Sequence, residues 1–262
     1  MYETIGYITL GLIPGFMLLD LIYNSRSYEK PRFWRTRATL VTVAIFYFTG
    51  YAAEFWSWLL NDFHLMDISG LGIAGSAVVG ILVYEFLHYW YHRLAHKWNW
   101  LWRAGHQMHH SAESLDAFGA FYLHPIDALS FTTWSSLTFF PLLGMSVEAS
   151  VIAALFLTFN AMFQHANMKT PYWLGYIIQR PESHHIHHGR GIHRHNYSDL
   201  PLYDLLFGTF YNPTENDLKG LPCGFYNGAS SRVLDMLLFK NVSIPAEAKE
   251  PTFDEKKLRQ AT

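Results

Sequence analysis

Residues 85–96 read E-F-L-H-Y-W-Y-H-R-L-A-H, and after a tryptophan-rich link residues 103–110 read R-A-G-H-Q-M-H-H. The first segment repeats histidine at four-residue intervals. Side chains four residues apart lie on one face of a helix, so His88, His92 and His96 form a single stripe. Imidazoles that converge from one face are typical ligands of borderline transition metals such as iron and zinc. The stripe therefore predicts one side of a metal site.

Two further groups of histidines have the pattern H-x-x-H-H, in which positions i, i+3 and i+4 share a helix face. One group comprises His106, His109 and His110, and the other lies within residues 184–188. A structural zinc ion needs only four ligands. The eight or nine histidines of the three groups would suit two metal ions, and two ions indicate redox or hydrolytic chemistry.

The composition favours a membrane protein. Of 262 residues, 50% are hydrophobic and only 15% are charged, and the aromatic share of 17% includes nine Trp. Tryptophan-rich belts are typical of the membrane interface. The net charge of −2 gives no indication of nucleic-acid binding. The single cysteine, Cys223, excludes an intramolecular disulfide and a cysteine-rich zinc motif.

Three apolar segments are long enough to cross a bilayer as helices, at residues 4–23, 38–60 and 71–91. The first has no basic region before it, so we expect it to be retained and not cleaved as a signal peptide. The loop 24–37 carries five basic residues, which marks the cytoplasmic side. The loop 61–70 carries aspartate but no Lys or Arg, as expected of an external loop. The third span therefore brings the histidine stripe to the cytoplasmic surface.

An apolar hairpin follows, with arms at 128–143 and 147–163 that are each short for a full span. Both ends of the hairpin lie on one side, so the chain returns to the cytoplasmic face at His165. All three histidine groups are then predicted on that face. Basic-residue asymmetry, counted without reference to histidine, gives this side for each group.

The histidine segments resemble the three histidine boxes of the fatty acid hydroxylase/sterol desaturase superfamily. The segments are H-R-L-A-H (92–96), H-Q-M-H-H (106–110) and H-H-I-H-H (184–188). The resemblance runs from about residue 80 to residue 212. It includes F-G-A-F-Y-L-H-P-I-D (118–127), which is similar to a phrase of sterol C-5 desaturases. Two other family phrases are Q-H-A-N (164–167) and N-Y-S-D-L-P-L-Y-D-L-L-F-G-T (196–209).

The resemblance implies a membrane-bound non-haem di-iron oxygenase that hydroxylates or desaturates a lipid with dioxygen and external electrons. It implies two Fe ions (Fe2+/Fe3+) and no catalytic residue beyond the metal ligands. The implied ligands are His92, His96, His106, His109, His110, His165, His184, His187 and His188. Electrons would come from a separate donor protein or reductase, because no nucleotide-binding glycine motif is present. The phrase at 118–127 favours a sterol or another isoprenoid lipid over a fatty acyl lipid.

Other residues receive supporting roles. Glu85, His88 and Asp204 are predicted to orient the ligands by hydrogen bonds. Arg93 and Arg103 are predicted to anchor the interface at lipid phosphates, with docking of the electron donor as the alternative.

The remaining histidines and two departures from the family pattern leave some assignments open. His185 makes the third box ambiguous, because His184 and His185 are both possible ligands. His124 is predicted to be a packing or channel residue. His195 stands where the family commonly has an acidic residue and Ser198 where it commonly has Gly, which puts the substrate in doubt. His193 and His195 are predicted to lie at the surface or to support the ligands.

Two alternatives have different chemistry. A carboxylate-bridged di-iron bundle would use the Glu-x-x-His pairs at 85–88 and 182–185, but it needs two more bridging carboxylates from other helices. A histidine-rich metal transporter or metal-binding protein needs ionisable groups near the middle of the bilayer, and only Glu54 qualifies. Consumption of dioxygen with reductant and lipid would indicate an oxygenase, whereas movement of metal across a vesicle membrane would indicate a transporter.

The sequence thus predicts an all-α integral membrane bundle of three spans plus an apolar hairpin, with a cytoplasmic histidine-rich helical cap. We expect a membrane region at 1–79, a catalytic domain at 80–212 and a cytoplasmic C-terminal tail at 213–262, loosely ordered after Pro245. The membrane is a bacterial inner membrane or the endoplasmic reticulum. The N-x-S sequons at Asn196 and Asn241 fall on the cytoplasmic side and should not be glycosylated.

Overall fold

The computed structural model describes residues 2–60 and 63–245. Three long helices begin the chain: α1 (Tyr2–Ile22), α2 (Trp34–Leu59) and α3 (Gly72–Lys97). They match the three predicted spans. With 26 residues, α3 is about 39 Å long at ~1.5 Å per residue, longer than the bilayer core is thick. Because it continues to Lys97, past the predicted end at residue 91, the first histidine box lies inside it.

A short linker and an apolar hairpin follow α3. The linker contains α4 (Asn99–Leu101), a π-helical turn (Trp102–His106) and α5 (Gln107–His110). The hairpin consists of α6 (Pro125–Leu137), a second π-helical turn (Thr138–Leu142) and α7 (Val147–His165). Proline at the first position of α6 and the Ser146 hydroxyl, which accepts a hydrogen bond from the Ala149 amide, define the starts of the two helices.

The first arm of the hairpin is short, as predicted, but the second is longer than predicted. Four helical segments of the described residues are long and apolar enough to cross a membrane: Thr4–Ile22, Trp34–Leu59, Ser69–Lys97 and Val147–His165. The α6 arm is not among them. The second arm therefore has the length of a full span.

The described residues after α7, up to residue 245, form short helices around the end of the bundle. These are α8 (Pro181–His188), α9 (Pro201–Phe207), α10 (Glu215–Leu218) and α11 (Val233–Leu237). Single 3-10 turns lie at Ser69–Leu71, Ala117–Gly119, Tyr172–Tyr176 and Ala229–Ser231. Within residues 2–60 and 63–245 no strand forms, and the isolated bridge between Gly189 and Cys223 is the nearest approach to one.

Helix packing explains how distant parts of the sequence meet. Helix α7 lies between α1 and α3, and α2 packs against α6. The outer faces of α1 and α2 expose large apolar side chains such as Leu18 (57% exposed) and Leu40 (66% exposed), as suits contact with lipid. At the end of α1, the buried carboxylate of Asp20 accepts hydrogen bonds from the amides of Ala117 and Asn167. This contact joins α1 to the segments that follow α5 and α7.

The predicted all-α membrane bundle with a histidine-rich cap is confirmed. The side of the membrane on which the cap lies stays a prediction. Part of the segment predicted as a tail packs onto the cap: the Gln107 amide donates to the carbonyl of Lys240, and the Trp102 indole donates to Ser243 Oγ. Residues after 245, predicted to be loosely ordered, lie outside the described residues, as do residues 61–62 of the predicted external loop.

Candidate metal centre

Nine histidine side chains form two neighbouring clusters where the C-terminal ends of α3 and α7 meet. In each cluster the ligand nitrogen atoms all lie within 4.8 Å of one another. The five-histidine cluster contains His92, His96, His106, His110 and His187. The four-histidine cluster contains His109, His165, His184 and His188. One ring from each cluster, His110 and His188, stack with 4.1 Å between their centroids, so the two clusters adjoin.

The clusters bring together all nine histidines that the sequence assigned as ligands; their role as ligands stays a prediction. Each H-x-x-H-H segment contributes two histidines to one cluster and one histidine to the other, and the two segments do so the opposite way round. Helix α5 and the π turn before it place two side chains in the five-histidine cluster and one in the other. Helix α8 places two in the four-histidine cluster and one in the five-histidine cluster. The two metal sites would therefore share both helices.

The π turn approaches α6 closely through a glycine. A Cβ atom at Gly105 would lie 3.2 Å from Cβ of Asp127, closer than packed side-chain atoms normally come. Because glycine leaves this space open, His106 Nδ1 reaches Asp127 Oδ2 at 2.8 Å. The other carboxylate oxygen of Asp127 accepts a hydrogen bond from the Tyr91 hydroxyl at 2.9 Å. Asp127 is fully buried and holds the His106 ring in one orientation.

Backbone and carboxylate acceptors fix the tautomer of four of the nine histidines. Their Nδ1 atoms lie 2.7–2.8 Å from an oxygen that can only accept a hydrogen bond. The pairs are His92 with the Tyr197 carbonyl, His106 with Asp127, His165 with the Ala161 carbonyl, and His187 with the His195 carbonyl. Nδ1 therefore carries the proton, and in a neutral ring Nε2 presents its lone pair to the cluster.

The facing lone pairs need a cation between them. Nε2 of His92 and Nε2 of His106 lie 2.9 Å apart although both Nδ1 atoms are hydrogen-bond donors. In the four-histidine cluster Nε2 of His165 lies 3.1 Å from Nε2 of both His109 and His184. Neutral His92 and His106 rings in this tautomer cannot bond to each other through Nε2, whereas a divalent metal ion binds both lone pairs. Such an ion would equally bind the converging Nε2 atoms of the four-histidine cluster. The residues thus fit a metal ion in each cluster.

Burial favours the neutral form of the imidazoles on α5 and α8. Desolvation lowers the pKa of His109, His110, His184, His187 and His188 well below its ordinary value, and repulsion by neighbouring imidazolium groups would lower it further. A neutral imidazole is the form that binds a metal, so the cap presents ligands at neutral pH without first losing protons.

An irregular loop between α8 and α9 supplies two of the backbone acceptors. His193, His195 and Asn196 have positive φ angles of 41°, 68° and 53°, a region that residues other than glycine seldom adopt. Asp204 holds the loop by accepting hydrogen bonds from the amides of Tyr197 and Ser198. Strained backbone of this kind persists where surrounding bonds enforce it, and here it aims two carbonyls at ligand rings.

The supporting residues act less directly than the sequence predicted. Among the described residues, neither Glu85 nor Asp204 hydrogen-bonds a ligand imidazole; each holds the amides of residues 197–200 instead. His88 makes no hydrogen bond to a ligand, but its ring lies parallel to that of His92 at 5.5 Å. The prediction that these residues hydrogen-bond the ligands is therefore wrong. Glu85 and Asp204 bind the loop that orients the ligands, and His88 contacts His92 by ring stacking.

The structure separates the ambiguous histidines. His185 lies outside both clusters, with Nδ1 at 2.9 Å from the Tyr28 hydroxyl and Nε2 at 2.9 Å from the Leu221 carbonyl. His184, its neighbour, points into the four-histidine cluster. His193 is buried, and its Nδ1 lies 3.1 Å from Nδ1 of His110, so it supports the five-histidine cluster. His124 accepts a hydrogen bond from the Ile126 amide and caps α6.

Carboxylates of the Glu-x-x-His pairs do not join either cluster. Glu182 accepts hydrogen bonds from Arg26 and from the amide and hydroxyl of Thr170. Glu85 lies with His88 and Asp199 in a separate buried group. The two clusters of the described residues consist of histidine alone, which is unlike a carboxylate-bridged site.

An apolar cavity of about 440 Å³ leads from the membrane region to both clusters. Side chains of α2, α3, α6 and α7 line it, including Phe46, Phe131 and Leu157. Its inner end reaches His92 and His106 of one cluster and His109, His165 and His184 of the other. Gly50 and Ala53 line the cavity and are also exposed on the outer face of α2, so the cavity opens sideways toward lipid.

Sequence reasoning assigned no role to five contributors. Asp127 was quoted within a family phrase but received no role. The carbonyls of His195 and Tyr197 carry no side-chain signal, so no residue type could have indicated them. Asp199 and Gln164 line the cavity beside the clusters. They belong to the family-like segments 196–209 and 164–167, whose polar residues could have indicated a role at the site.

The fold and site define a membrane protein with a candidate binuclear metal centre of histidine ligands beside a lipid-facing cavity. Residues 77–209 match the family model described as Fatty acid hydroxylase. The chain belongs to this family, which confirms the predicted superfamily. No solved structure matches the chain.

The related proteins are enzymes of lipid metabolism by name. The chain is 34% identical over 155 residues to alkylglycerol monooxygenase of Homo sapiens, covering 56% of this chain and 32% of that protein. It is 32% identical over 146 residues to an ornithine lipid hydroxylase of Rhizobium tropici, covering 54% and 43%. It is 28% identical over 148 residues to sphinganine C4-monooxygenase 1 of Arabidopsis thaliana, covering 55% and 57%. The matches span about a third of the alkylglycerol monooxygenases.

Proposed function

We propose that the protein is a membrane-bound di-iron oxygenase that hydroxylates a lipid with dioxygen, desaturation being the second possible outcome of the same C–H attack. The observation that carries the proposal is the convergence of nine imidazoles at the inner end of an apolar cavity, in two clusters whose ligand nitrogens lie within 4.8 Å of one another. Family membership and the names of the relatives support a monooxygenase.

Iron is the metal that suits this chemistry. Imidazole binds zinc, copper and iron alike, but only a redox metal can activate dioxygen. Bound iron would supply that activation: one oxygen atom enters a C–H bond, and the other leaves as water with two protons and two electrons from a donor. The protein itself supplies orientation, through Asp127 and the carbonyls of His195 and Tyr197. It also excludes water, because eight of the nine rings are buried in the described structure.

The cavity supports a lipid that enters from the bilayer. Its walls are apolar, and Gly50 and Ala53 leave an opening on the outer face of α2. The relatives are named for alkylglycerol, sphinganine and ornithine lipid. We therefore propose a long-chain aliphatic lipid in place of the sterol that residues 118–127 favoured.

We further propose that the cap faces the cytoplasm, since the basic loop 24–37 lies at the same end of the bundle as the clusters. There, Arg26 donates hydrogen bonds to Glu182 of α8 and to the Met168 carbonyl after α7. An electron-donor protein or reductase would bind on this side. The catalytic unit would comprise residues 80–212, with 1–79 as the membrane region and 213–262 as the C-terminal segment.

A metal transporter is less well supported. Transport requires ionisable groups along the interior of the spans. The clusters instead lie where α3 and α7 end, and the side chain of Glu54 is exposed on α2. A transporter would also have no use for an apolar cavity that ends at its metal ligands.

Metal analysis of detergent-purified protein tests the proposal. We expect close to two irons per chain, and dioxygen uptake that requires a reductant and a long-chain lipid. The double variant His106→Ala, His109→Ala removes one ligand from each cluster and should lose both metal and uptake. His185→Ala is the matched control, because this side chain lies outside both clusters. One zinc per chain, or metal retained in the double variant, would refute a di-iron centre.

A further inference from the structure

One corner of the apolar cavity is polar. His88, Gln164 and Asp199 line it, and Glu85 lies directly behind His88 and Asp199. All four residues are buried, with exposures of 8%, 6%, 7% and 0%. The corner adjoins the five-histidine cluster, because the His88 ring lies parallel to the ring of His92 at 5.5 Å.

Hydrogen bonds within the protein satisfy only part of this corner. The Gln164 amide donates to Asp199 Oδ1 at 2.9 Å, and Glu85 Oε2 accepts from Ser198 Oγ and the Asp199 amide. Among the described residues, Glu85 Oε1 and His88 Nδ1 are buried without a hydrogen-bond partner, although His88 Nδ1 lies 3.8 Å from Glu85 Oε2. Buried polar atoms are rarely left unpaired, so the corner has the properties of a binding site.

The unpaired atoms indicate the chemistry of the ligand. One of them is a carboxylate oxygen of Glu85, and the carboxyl group of Asp199 adjoins it. Within the described chain Glu85 has an ionic contact with His88 at 3.8 Å, and neither carboxyl group pairs with a Lys or Arg side chain. Two neighbouring carboxyl groups offer accepting oxygens, which phosphate and carboxylate ligands cannot use. The corner suits a group that donates hydrogen bonds, namely a hydroxyl or an amine.

We propose that this corner binds the hydroxyl or amino group of a long-chain lipid that enters the cavity with its polar end first. The aliphatic chain then follows the apolar walls toward the opening at Gly50 and Ala53. Because His88 stacks on His92, a polar group held here places the first few carbon atoms of the chain at the metal clusters. This proposal rests on the proposed function and adds that oxidation takes place close to the polar end of the substrate.

Binding of matched probes to the full-length, iron-loaded protein under anaerobic conditions tests the proposal without turnover. The probes share one chain length: 1-hexadecanol, hexadecylamine, hexadecane and palmitate. We expect the alcohol or the amine to bind at least about tenfold more tightly than hexadecane and than palmitate, as a hydrogen bond to an otherwise unpaired buried group allows. The stronger of the two identifies the polar group.

Two variants locate the preference. Asp199→Asn removes the carboxylate charge but retains an oxygen for Gln164, and His88→Phe keeps an aromatic ring against Tyr84 and Phe131. Each should reduce the preference for the alcohol or amine over hexadecane at least about fivefold. Ser135→Ala, which removes a hydroxyl elsewhere along the cavity, is the matched control and should retain the preference.

Equal affinities of the unmodified protein for hexadecanol, hexadecylamine and hexadecane, or an undiminished preference in both variants, would overturn the proposal. Failure of the proposed function has a different signature. A protein without iron that still prefers the polar-ended probes would refute the oxygenase and retain the binding corner. An iron-loaded, lipid-dependent oxygenase without this preference would refute the corner alone.

Discussion

Replacing Asp127 with Asn tests whether the carboxylate behind His106 strengthens metal binding. The carboxylate is fully buried and accepts a hydrogen bond from His106 Nδ1 at 2.8 Å and one from the Tyr91 hydroxyl at 2.9 Å. Asn preserves the shape and one accepting oxygen, and the Tyr91 hydroxyl can rotate to accept from the new amide. The substitution therefore removes mainly the charge that makes His106 a stronger ligand.

Loss of such a carboxylate typically lowers metal affinity by about 10- to 100-fold, which corresponds to about 1.4–2.7 kcal/mol. Competition with a chelator of known affinity, followed by metal analysis, measures this change. Glu54→Gln is the control, because it neutralises an exposed carboxylate on α2 and should leave the affinity unchanged. If Asp127→Asn also binds metal within about twofold of the unmodified protein, the carboxylate has no such role.

Three further experiments test other parts of the structure. His184→Ala should lower the metal content, whereas His185→Ala should retain it, because the His185 side chain bonds to Tyr28 and to the Leu221 carbonyl. Elemental analysis measures the metal content of both variants, and equal losses would contradict the assignment. Glu182→Gln leaves Arg26 without its buried carboxylate partner and should lower the free energy of unfolding by about 1.5–3 kcal/mol. A lower midpoint of thermal unfolding would reveal this loss, and an unchanged midpoint would show that the contact contributes little. Gly50→Trp should obstruct the cavity where it opens on α2, so lipid-dependent dioxygen uptake should fall while the metal content stays unchanged. Normal uptake would place the entrance elsewhere.

Patterns with a physical period could be predicted from the sequence. Apolar length gave the three spans, and four-residue spacing gave the face on which His92 and His96 lie. The division of ligands between two clusters could not be predicted in this way. On a helix His109 lies beside both His106 and His110, and only the approach of α7 and α8 places it with His165 in the other cluster.

The supporting contacts were beyond sequence reasoning for a different reason. A carbonyl oxygen is the same in every residue, so the acceptors at His195 and Tyr197 depend on the path of the loop and not on residue type. Glu85 was placed near the site correctly, but its bonds to the Ser198 hydroxyl and to the amides of Asp199 and Leu200 required knowledge of where that loop lies.

The opposite allocation of ligands in α5 and α8 makes the two metal sites interdependent. Neither site can be completed until both helices are in place, and once one ion has fixed them, most ligands of the other are already positioned. Binding of the first ion therefore includes the free-energy cost of ordering both helices, and the second ion binds more tightly. We expect metal titration to be cooperative, with chains carrying a single ion scarce at every stage of loading.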